Sequence, residues 1–220
     1  MKVSPKLLLR IYKTLRAKYG HLKWWPGDTR FEIILGAILT QNTSWTNVEK
    51  AITVLKKRGV LKVEAIHHLP EGELAGLIRS AGYFNIKANR IKNFTHYLYQ
   101  IHNGSLSKMF LRPGKLLREE LLAIKGIGPE TADSILLYAG RKPFFVVDAY
   151  TKRVFSRHKF FRQTSPYEQV QAFFMTRLTP DTPLYNDYHA QIVNLAKRHC
   201  FKKNPDCKSC PLRFLFSLPA

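Results

Sequence analysis

Apolar residues recur every three to four positions along most of this chain, which is the spacing of one face of an α-helix. Leu8, Ile11 and Leu15 set the first such pattern and predict a helix over 5–19. Strand patterns are almost absent, since the apolar run at 144–147 is too short to build a sheet. The sequence therefore predicts an all-α protein.

The same spacing continues along the rest of the chain, with polar, Gly and Pro residues between the apolar runs. We find no internal repeat and no low-complexity linker. The pattern predicts further helices at 31–39, 45–57, 62–67, 71–80, 86–102, 115–124, 130–140, 149–157, 166–178 and 184–199.

The chain is strongly basic: 36 Lys and Arg residues oppose 15 Asp and Glu residues, for a formal net charge of +21. This excess favours nucleic acid or an anionic membrane surface as the partner, although many ordinary basic proteins share it. No apolar run is long enough to cross a bilayer, and the first residues lack the pattern of a secretory signal. We therefore expect an intracellular protein, cytoplasmic and, in a prokaryote, associated with the nucleoid.

Two glycines interrupt the helical pattern one residue apart, in the segment Lys125-Gly126-Ile127-Gly128-Pro129. Such a tight turn leaves backbone N–H groups available to bind an anion. Because the net charge of the chain is strongly positive, a phosphate is the expected ligand. We expect a glycine at each strained position, Ile127 packed between the helices and Pro129 in the first turn of the second helix. For a bare pair of glycines, an ordinary turn between two helices is the alternative.

The motif Leu-x-x-Ile-Lys-Gly-Ile-Gly-x-x-Thr-Ala at 121–132, followed by Val-Val-Asp ending at Asp148, resembles the helix-hairpin-helix DNA glycosylase superfamily, in its endonuclease III-like branch. The resemblance extends from about Trp24 to Cys210. It implies two helical lobes with a DNA-binding cleft between them, the hairpin spanning 117–139 and gripping the DNA backbone.

The resemblance also implies how the chain is divided. A six-helix barrel lobe carrying the hairpin is expected at 24–133, and the second helical lobe at 1–23 plus 134–220. The second lobe would carry the catalytic carboxylate, and a damaged base would flip out of the duplex into the cleft. The implied partner is double-stranded DNA with a damaged base. We expect no membrane partner, and a monomer because the face that grips DNA must stay free.

Asp148 matches the essential carboxylate of that superfamily. Cleavage of an N-glycosidic bond builds positive charge on the deoxyribose, which an ionised carboxylate stabilises. The helix predicted after Asp148 favours the charged form, although a residue in this position can also serve only as a helix cap. Bifunctional relatives carry a nucleophilic lysine where this chain has Glu130, and a carboxylate cannot form their Schiff base. The sequence therefore predicts a glycosylase without lyase activity, which uses water as the nucleophile.

Two further motifs narrow the resemblance to the subfamily of 3-methyladenine DNA glycosylase III. They are Trp24-Trp25-Pro26 and the run Leu-Thr-Gln-Asn-Thr at 39–43, which an aromatic residue, Trp45, follows shortly. N-alkylated purines are cationic, and aromatic faces bind a flat cation by stacking and cation–π attraction.

The expected base pocket contains Trp25 and Trp45 on the two faces of the base, with Trp24 and Glu130 beside them. Tryptophans buried in the core are the alternative. The remaining candidate functions are a glycosylase for oxidised, deaminated or mismatched bases, and a DNA-binding protein without catalysis.

Polar residues after the second predicted helix complete the expected DNA contacts. Gln41 matches the family residue that plugs the gap left by the flipped nucleotide, and Asn42 would contact the orphaned base or the backbone. A polar helix break with capping residues is the alternative. The expected contacts with DNA are Gln41, Asn42, Lys125, Gly126, Ile127 and Gly128. A lone histidine such as His189, on an apolar-periodic helix, is more typical of a structural role.

Three cysteines near the C-terminus, Cys200, Cys207 and Cys210, match the first three positions of the family's iron–sulfur loop. The fourth position is Phe216. This leaves three possibilities: a [4Fe-4S] cluster with an unusual fourth ligand or none, a loop without a cluster, and zinc held by the three cysteines with His199. No cofactor is expected to be required for catalysis.

Overall fold

The computed structural model describes residues 4–22 and 24–216, and these form helices and turns with no strand. The predicted all-α class is confirmed. The α-helices are α1 (Pro5–Tyr19), α2 (Arg30–Leu39), α3 (Trp45–Lys57), α4 (Val63–His68), α5 (Glu71–Leu77), α6 (Phe84–His102), α7 (Leu106–Leu111), α8 (Gly114–Ala123), α9 (Pro129–Ser134), α10 (Ala149–Arg157), α11 (Tyr167–Met175) and α12 (Thr182–Arg198). A 3₁₀ turn, Arg79–Ala81, follows α5, and a π-helical segment, Ile135–Ala139, continues α9.

The chain divides into two compact units. One is Pro26–Lys142, and the other combines the residues up to Trp25 with those from Pro143 onward. These boundaries differ from the predicted 24–133 and 1–23 plus 134–220. The tryptophan pair belongs with the C-terminal residues because the Trp24 ring packs on α12, and 134–142 belongs with the hairpin because the π-helical segment packs on α2.

Helix α2 is the centre of the unit Pro26–Lys142. All of its residues from Ile34 to Leu39 are buried, and it packs against α3, α6, α9 and the π-helical segment. The buried ammonium of Lys87 on α6 donates to the carbonyls of Leu39 at 2.8 Å and Ala81 at 2.7 Å. It thereby satisfies a carbonyl at the end of α2 and ties that end to the turn before α6. Burial, with a smaller contribution from Arg90, lowers the pKa of Lys87 to about 8.

The hairpin helices α8 and α9 are joined by an ion pair. The Arg118 guanidinium donates from Nε to Asp133 Oδ1 at 2.7 Å and from Nη2 to Oδ2 at 3.0 Å. Asp133 is fully buried, so this two-point contact compensates its charge inside the protein.

The single helix predicted at 130–140 changes its winding after Ser134. The amide of Gly140 donates to the carbonyl of Ile135 at 2.9 Å, five residues back. A Cβ on Gly140 would lie 2.8 Å from both the Leu136 carbonyl oxygen and the Phe110 ring, so only glycine fits there. The wider turn ends the hairpin helix against α7.

An aromatic cluster forms the core of the other unit. The Phe145 ring stacks on Phe174 at 4.1 Å and meets Tyr185 and Tyr188 edge-on. The carbonyl of Phe145 accepts from Gln171 Nε2 at 2.8 Å. These contacts anchor the extended segment that leads into α10.

Two short elements differ from the predicted pattern. Helix α7 was not predicted from the sequence pattern, and Ser105 caps it by accepting from the amide of Lys108. The helix predicted at 71–80 ends at Leu77 and gives way to the 3₁₀ turn. Among the described residues, no helix has the length and apolarity that a bilayer crossing requires.

The Arg118–Asp133 pair should be a major support of the hairpin. We expect Arg118→Met to lower the free energy of unfolding by about 3–5 kcal/mol, because it removes the guanidinium that pairs with a buried carboxylate. Urea denaturation measures the change. Arg112→Met is the matched control: the Arg112 side chain is 47% exposed where it pairs with Glu120, so its loss should cost less than about 1 kcal/mol. Equal losses in the two variants would contradict this assignment.

Candidate active site and DNA-binding hairpin

The turn between α8 and α9 contains one position that requires glycine. Gly126 has a φ of +94°, a conformation that side chains rarely adopt. Gly128 caps α9 with a φ of −91°, so the prediction of strain at both glycines is wrong for this residue. Ile127 is buried as expected, and Lys125 is exposed. The turn thus presents Lys125 and backbone to solvent while Ile127 anchors it.

Gln41 is bound to this turn by its side-chain amide. Its Nε2 donates to the Gly126 carbonyl at 3.2 Å and to Thr131 Oγ1 at 2.8 Å, and its Oε1 accepts from the Arg90 guanidinium. Arg90 also lies across Gly126, since a Cβ there would come within 2.3 Å of Arg90 Cγ. Asn42 is exposed with a φ of 53°. Arg90 was not predicted from the sequence, because the position of one arginine on a basic helix does not indicate its partners.

Asp148 precedes α10 and caps it. Its Oδ1 accepts from the amide of Thr151 at 2.6 Å, while its Oδ2 lies 3.4 Å from Nε2 of His189 on α12. The side chain is only 12% exposed. Burial works against ionisation, but the His189 imidazole at Oδ2 and the hydrogen bond from Thr151 at Oδ1 hold the pKa of Asp148 below its usual value. Asp148 is therefore an ionised carboxylate as well as a cap.

Helix α12 also holds the segment that carries the tryptophan pair. The buried carboxylate of Asp187 accepts from Arg16 at 2.6 Å and from the amide of Leu22 at 3.2 Å. One turn later, Gln191 donates to the carbonyl of Gly20 at 2.7 Å. The chain just before Trp24 is thus pinned to the helix that presents His189.

The first tryptophan of the sequence motif lies beside this histidine, and the second lies beside the first. Trp24 meets His189 edge-on with ring centroids 6.0 Å apart, and Trp25 meets Trp24 edge-on at 6.3 Å. Both indoles are half-buried, so neither is sealed in the core. Trp45 and Glu130 belong to the other unit: Trp45 donates to Glu49 Oε1 at 2.9 Å, and Glu130 is exposed in the first turn of α9. The sandwich of Trp25 and Trp45 stays a prediction.

Comparison with known proteins identifies the family of this chain. Residues 35–180 match the family described as the HhH-GPD superfamily of base excision DNA repair proteins. A protein of Methanocaldococcus jannaschii, whose name provisionally describes a DNA repair glycosylase, is 45% identical over 211 residues, covering 94% of each chain. This chain belongs to the HhH-GPD superfamily. It is a DNA glycosylase of that superfamily.

Two solved structures share the fold. The H. pylori 3-methyladenine DNA glycosylase bound to 1,N6-ethenoadenine superimposes with a TM-score of 0.78 at 28% identity, over 89% of this chain and 98% of that one. A non-covalent complex of endonuclease III with DNA gives a TM-score of 0.79 at 23% identity, over 97% of this chain and 95% of that one.

The cysteine loop of this HhH-GPD protein is held by an arginine. Cys200, Cys207 and Cys210 border one small cavity. Arg157 on α10 donates to Cys200 Sγ at 3.1 Å and to the carbonyls of Phe201 at 2.6 Å and Lys202 at 2.8 Å. Protein hydrogen bonds therefore shape the loop.

The donor set does not fit a cluster held by four thiolates. Phe216, at the fourth position, stacks its ring on His158 at 4.0 Å and offers no ligand. His199, the candidate fourth zinc ligand, has its Nδ1 2.9 Å from Ser209 Oγ. In the described part of the chain, no group of three or more His, Cys, Asp or Glu side chains is arranged to hold a metal ion.

Alanine at the two glycines of the hairpin should separate their roles. We expect Gly126→Ala to lower stability by about 1–3 kcal/mol and to weaken DNA binding, because the new Cβ meets Arg90 in a strained backbone conformation. Gly128→Ala meets no atom within 4 Å and should change stability by no more than about 1 kcal/mol. Thermal unfolding and DNA titration measure both effects. Equal destabilisation by the two variants would show that the contact with Arg90 does not constrain the turn.

The cysteine loop gives a prediction about metal content. We expect protein purified without oxygen to lack the visible absorption of an iron–sulfur cluster and to contain substoichiometric iron, because three thiolates leave one iron of a [4Fe-4S] cluster without its ligand. Absorption spectra and metal analysis of the same sample test this. Stoichiometric iron with a visible band would contradict it.

Proposed function

We propose that this protein is a monofunctional glycosylase that removes an alkylated base of the 3-methyladenine type from double-stranded DNA. The observation that carries the proposal is Asp148, an ionised carboxylate with 12% of its side chain exposed, next to a histidine and a tryptophan pair. In the proposed reaction the damaged nucleotide leaves the helix before its N-glycosidic bond is hydrolysed.

Asp148 acts on the sugar in this mechanism. As the bond between the base and the anomeric carbon breaks, the deoxyribose becomes positively charged, and a carboxylate already in place stabilises that charge without rearrangement. Water then attacks the anomeric carbon. An N-alkylated purine is already cationic and leaves readily, so the site needs no strong general acid.

The tryptophan pair supports a cationic base as the substrate. Trp24 and Trp25 are half-buried, and Trp24 meets His189, the neighbour of the Asp148 carboxylate. Aromatic faces attract flat cations, which distinguishes an alkylated purine from its neutral parent. The H. pylori relative named as a 3-methyladenine glycosylase, at 28% identity, is consistent with this choice.

The unit Pro26–Lys142, which contains the hairpin, supplies the contacts to the DNA backbone in this proposal. The exposed Lys125 and the amides of the turn meet phosphates, in keeping with the net charge of +21. Gln41 then plugs the gap left by the flipped nucleotide, exchanging its bonds to Gly126 and Thr131 for bonds to DNA.

Because Glu130 stands where a nucleophilic lysine would be needed, the proposed enzyme leaves the DNA strand uncleaved. It is exposed in the first turn of α9, and a carboxylate cannot form a Schiff base with the abasic sugar. Lys125 lies on the turn assigned to phosphate contacts and is not expected to replace the missing nucleophile.

The direct test uses duplexes that each carry one lesion, alkylated, oxidised, deaminated or mismatched, with free-base chromatography and strand analysis. We expect release of the alkylated purine, with strand breakage only after alkali treatment. Asp148→Asn should slow release by about 100-fold or more while DNA affinity is retained. Release of another class of base would replace the proposed substrate, and strand cleavage without alkali would contradict monofunctional chemistry. Full activity of Asp148→Asn would refute the catalytic role.

A further inference from the structure

We propose that His189 is a positioning residue that holds the Asp148 carboxylate in its reactive orientation through Oδ2, the oxygen that the helix cap leaves available. This inference rests on the proposed function, in which Asp148 faces the deoxyribose. The sequence pattern alone favours a structural role for this histidine.

The two oxygens of Asp148 have different partners. Oδ1 is fixed by the amide of Thr151 at 2.6 Å, a bond that belongs to the start of α10. Oδ2 lies 3.4 Å from Nε2 of His189, on a helix 41 residues further along the chain. The cap sets where the carboxyl group lies, and the contact from α12 sets how the carboxylate plane is rotated.

His189 is itself held in place. Its side chain is buried, with 3% of the residue exposed, and the Trp24 ring meets it edge-on at an interplanar angle of 71°. A buried imidazole between a carboxylate and an indole has little freedom to turn away. The contact also connects the reactive group with the tryptophan pair that would bind the base.

The other charged groups on the surrounding elements are engaged elsewhere. Asp187, two residues before His189, pairs with Arg16 and contacts His21. On α10, the Lys152 ammonium donates to the carbonyl of Ser165 at 2.7 Å, and Arg153 donates to that of Cys200 at 2.7 Å. His189 is therefore the side chain whose ring nitrogen is positioned to act on Asp148.

Loss of the imidazole should have two separable effects. Without its charge, burial raises the pKa of Asp148, so more of the carboxyl is protonated at a given pH. Without the contact of His189 at Oδ2, the carboxylate is oriented by the cap alone. The first effect moves the acid limb of the pH–rate profile, and the second lowers the plateau of the rate.

The experiment measures single-turnover base release against pH for the wild type, His189→Ala and His189→Gln on one duplex. We expect the acid limb to move upward by about one to three pH units in both variants, since a nearby opposite charge lowers an aspartate pKa by that amount. The plateau should fall about 10-fold or more in His189→Ala. His189→Gln keeps a donor without the charge and should recover part of the plateau.

A second histidine of the same unit provides the matched control. His158 is also largely withdrawn from solvent, but it lies against Phe216, at the cysteine loop. His158→Ala should alter stability without moving the acid limb. If His189→Ala changes thermal stability and leaves both the limb and the plateau unchanged, the positioning role is overturned.

The inference and the proposed function fail in distinguishable ways. If the wild type releases no base from any lesion duplex, the proposed function fails. The pairing can still be measured in the free protein, by carboxyl carbon NMR titration of Asp148 in the wild type and in His189→Ala. A higher Asp148 pKa in the variant supports the pairing, and an unchanged pKa overturns it.

Discussion

The unit that contains Asp148 keeps this carboxylate charged while most of it is withdrawn from water. Burial of an uncompensated charge costs several kcal/mol, so Asp148 stays ionised only because hydrogen bonds and an opposite charge replace its hydration. The amide of Thr151 and the imidazole of His189 supply them, from α10 and α12. The aromatic cluster around Phe145 fixes the backbone just before the carboxylate. Helix packing in this unit is thus linked directly to the charge of Asp148, on which the proposed reaction depends.

In the unit Pro26–Lys142, hydrogen bonds to the backbone and to side chains hold the hairpin turn in place. Gly126, which has a positive φ in the hairpin turn, lets the Arg90 side chain pass across the turn and reach Gln41. Gln41 in turn holds the first turn of α9 through Thr131. The segment assigned to the gap in the duplex and the segment assigned to the phosphates are therefore parts of one hydrogen-bonded assembly. A substitution in either segment should therefore alter the conformation of the other.

Local patterns in the sequence were sufficient for much of this structure. The long helices, the cap position of Asp148, the buried Ile127 and the family itself all follow from spacing within short segments. Contacts between distant segments could not be predicted in the same way, since Arg90 and His189 carry no mark of their partners 49 and 41 residues away. The change of winding after Ser134 is of this kind too, because it reflects the Phe110 ring packed on Gly140. Gly128 shows the opposite error, in which a motif residue was assigned strain that its backbone does not have.

The central claim is that Asp148 stabilises positive charge on the deoxyribose. Transition-state mimics bind more tightly than neutral analogues when a site is complementary to developing charge. The decisive measurement is the affinity for a duplex with a cationic pyrrolidine in place of the damaged sugar, compared with one that carries a neutral tetrahydrofuran. We predict a clear preference for the cationic duplex in the wild type and the loss of this preference in Asp148→Asn. Equal affinity for the two duplexes in the wild type would contradict it.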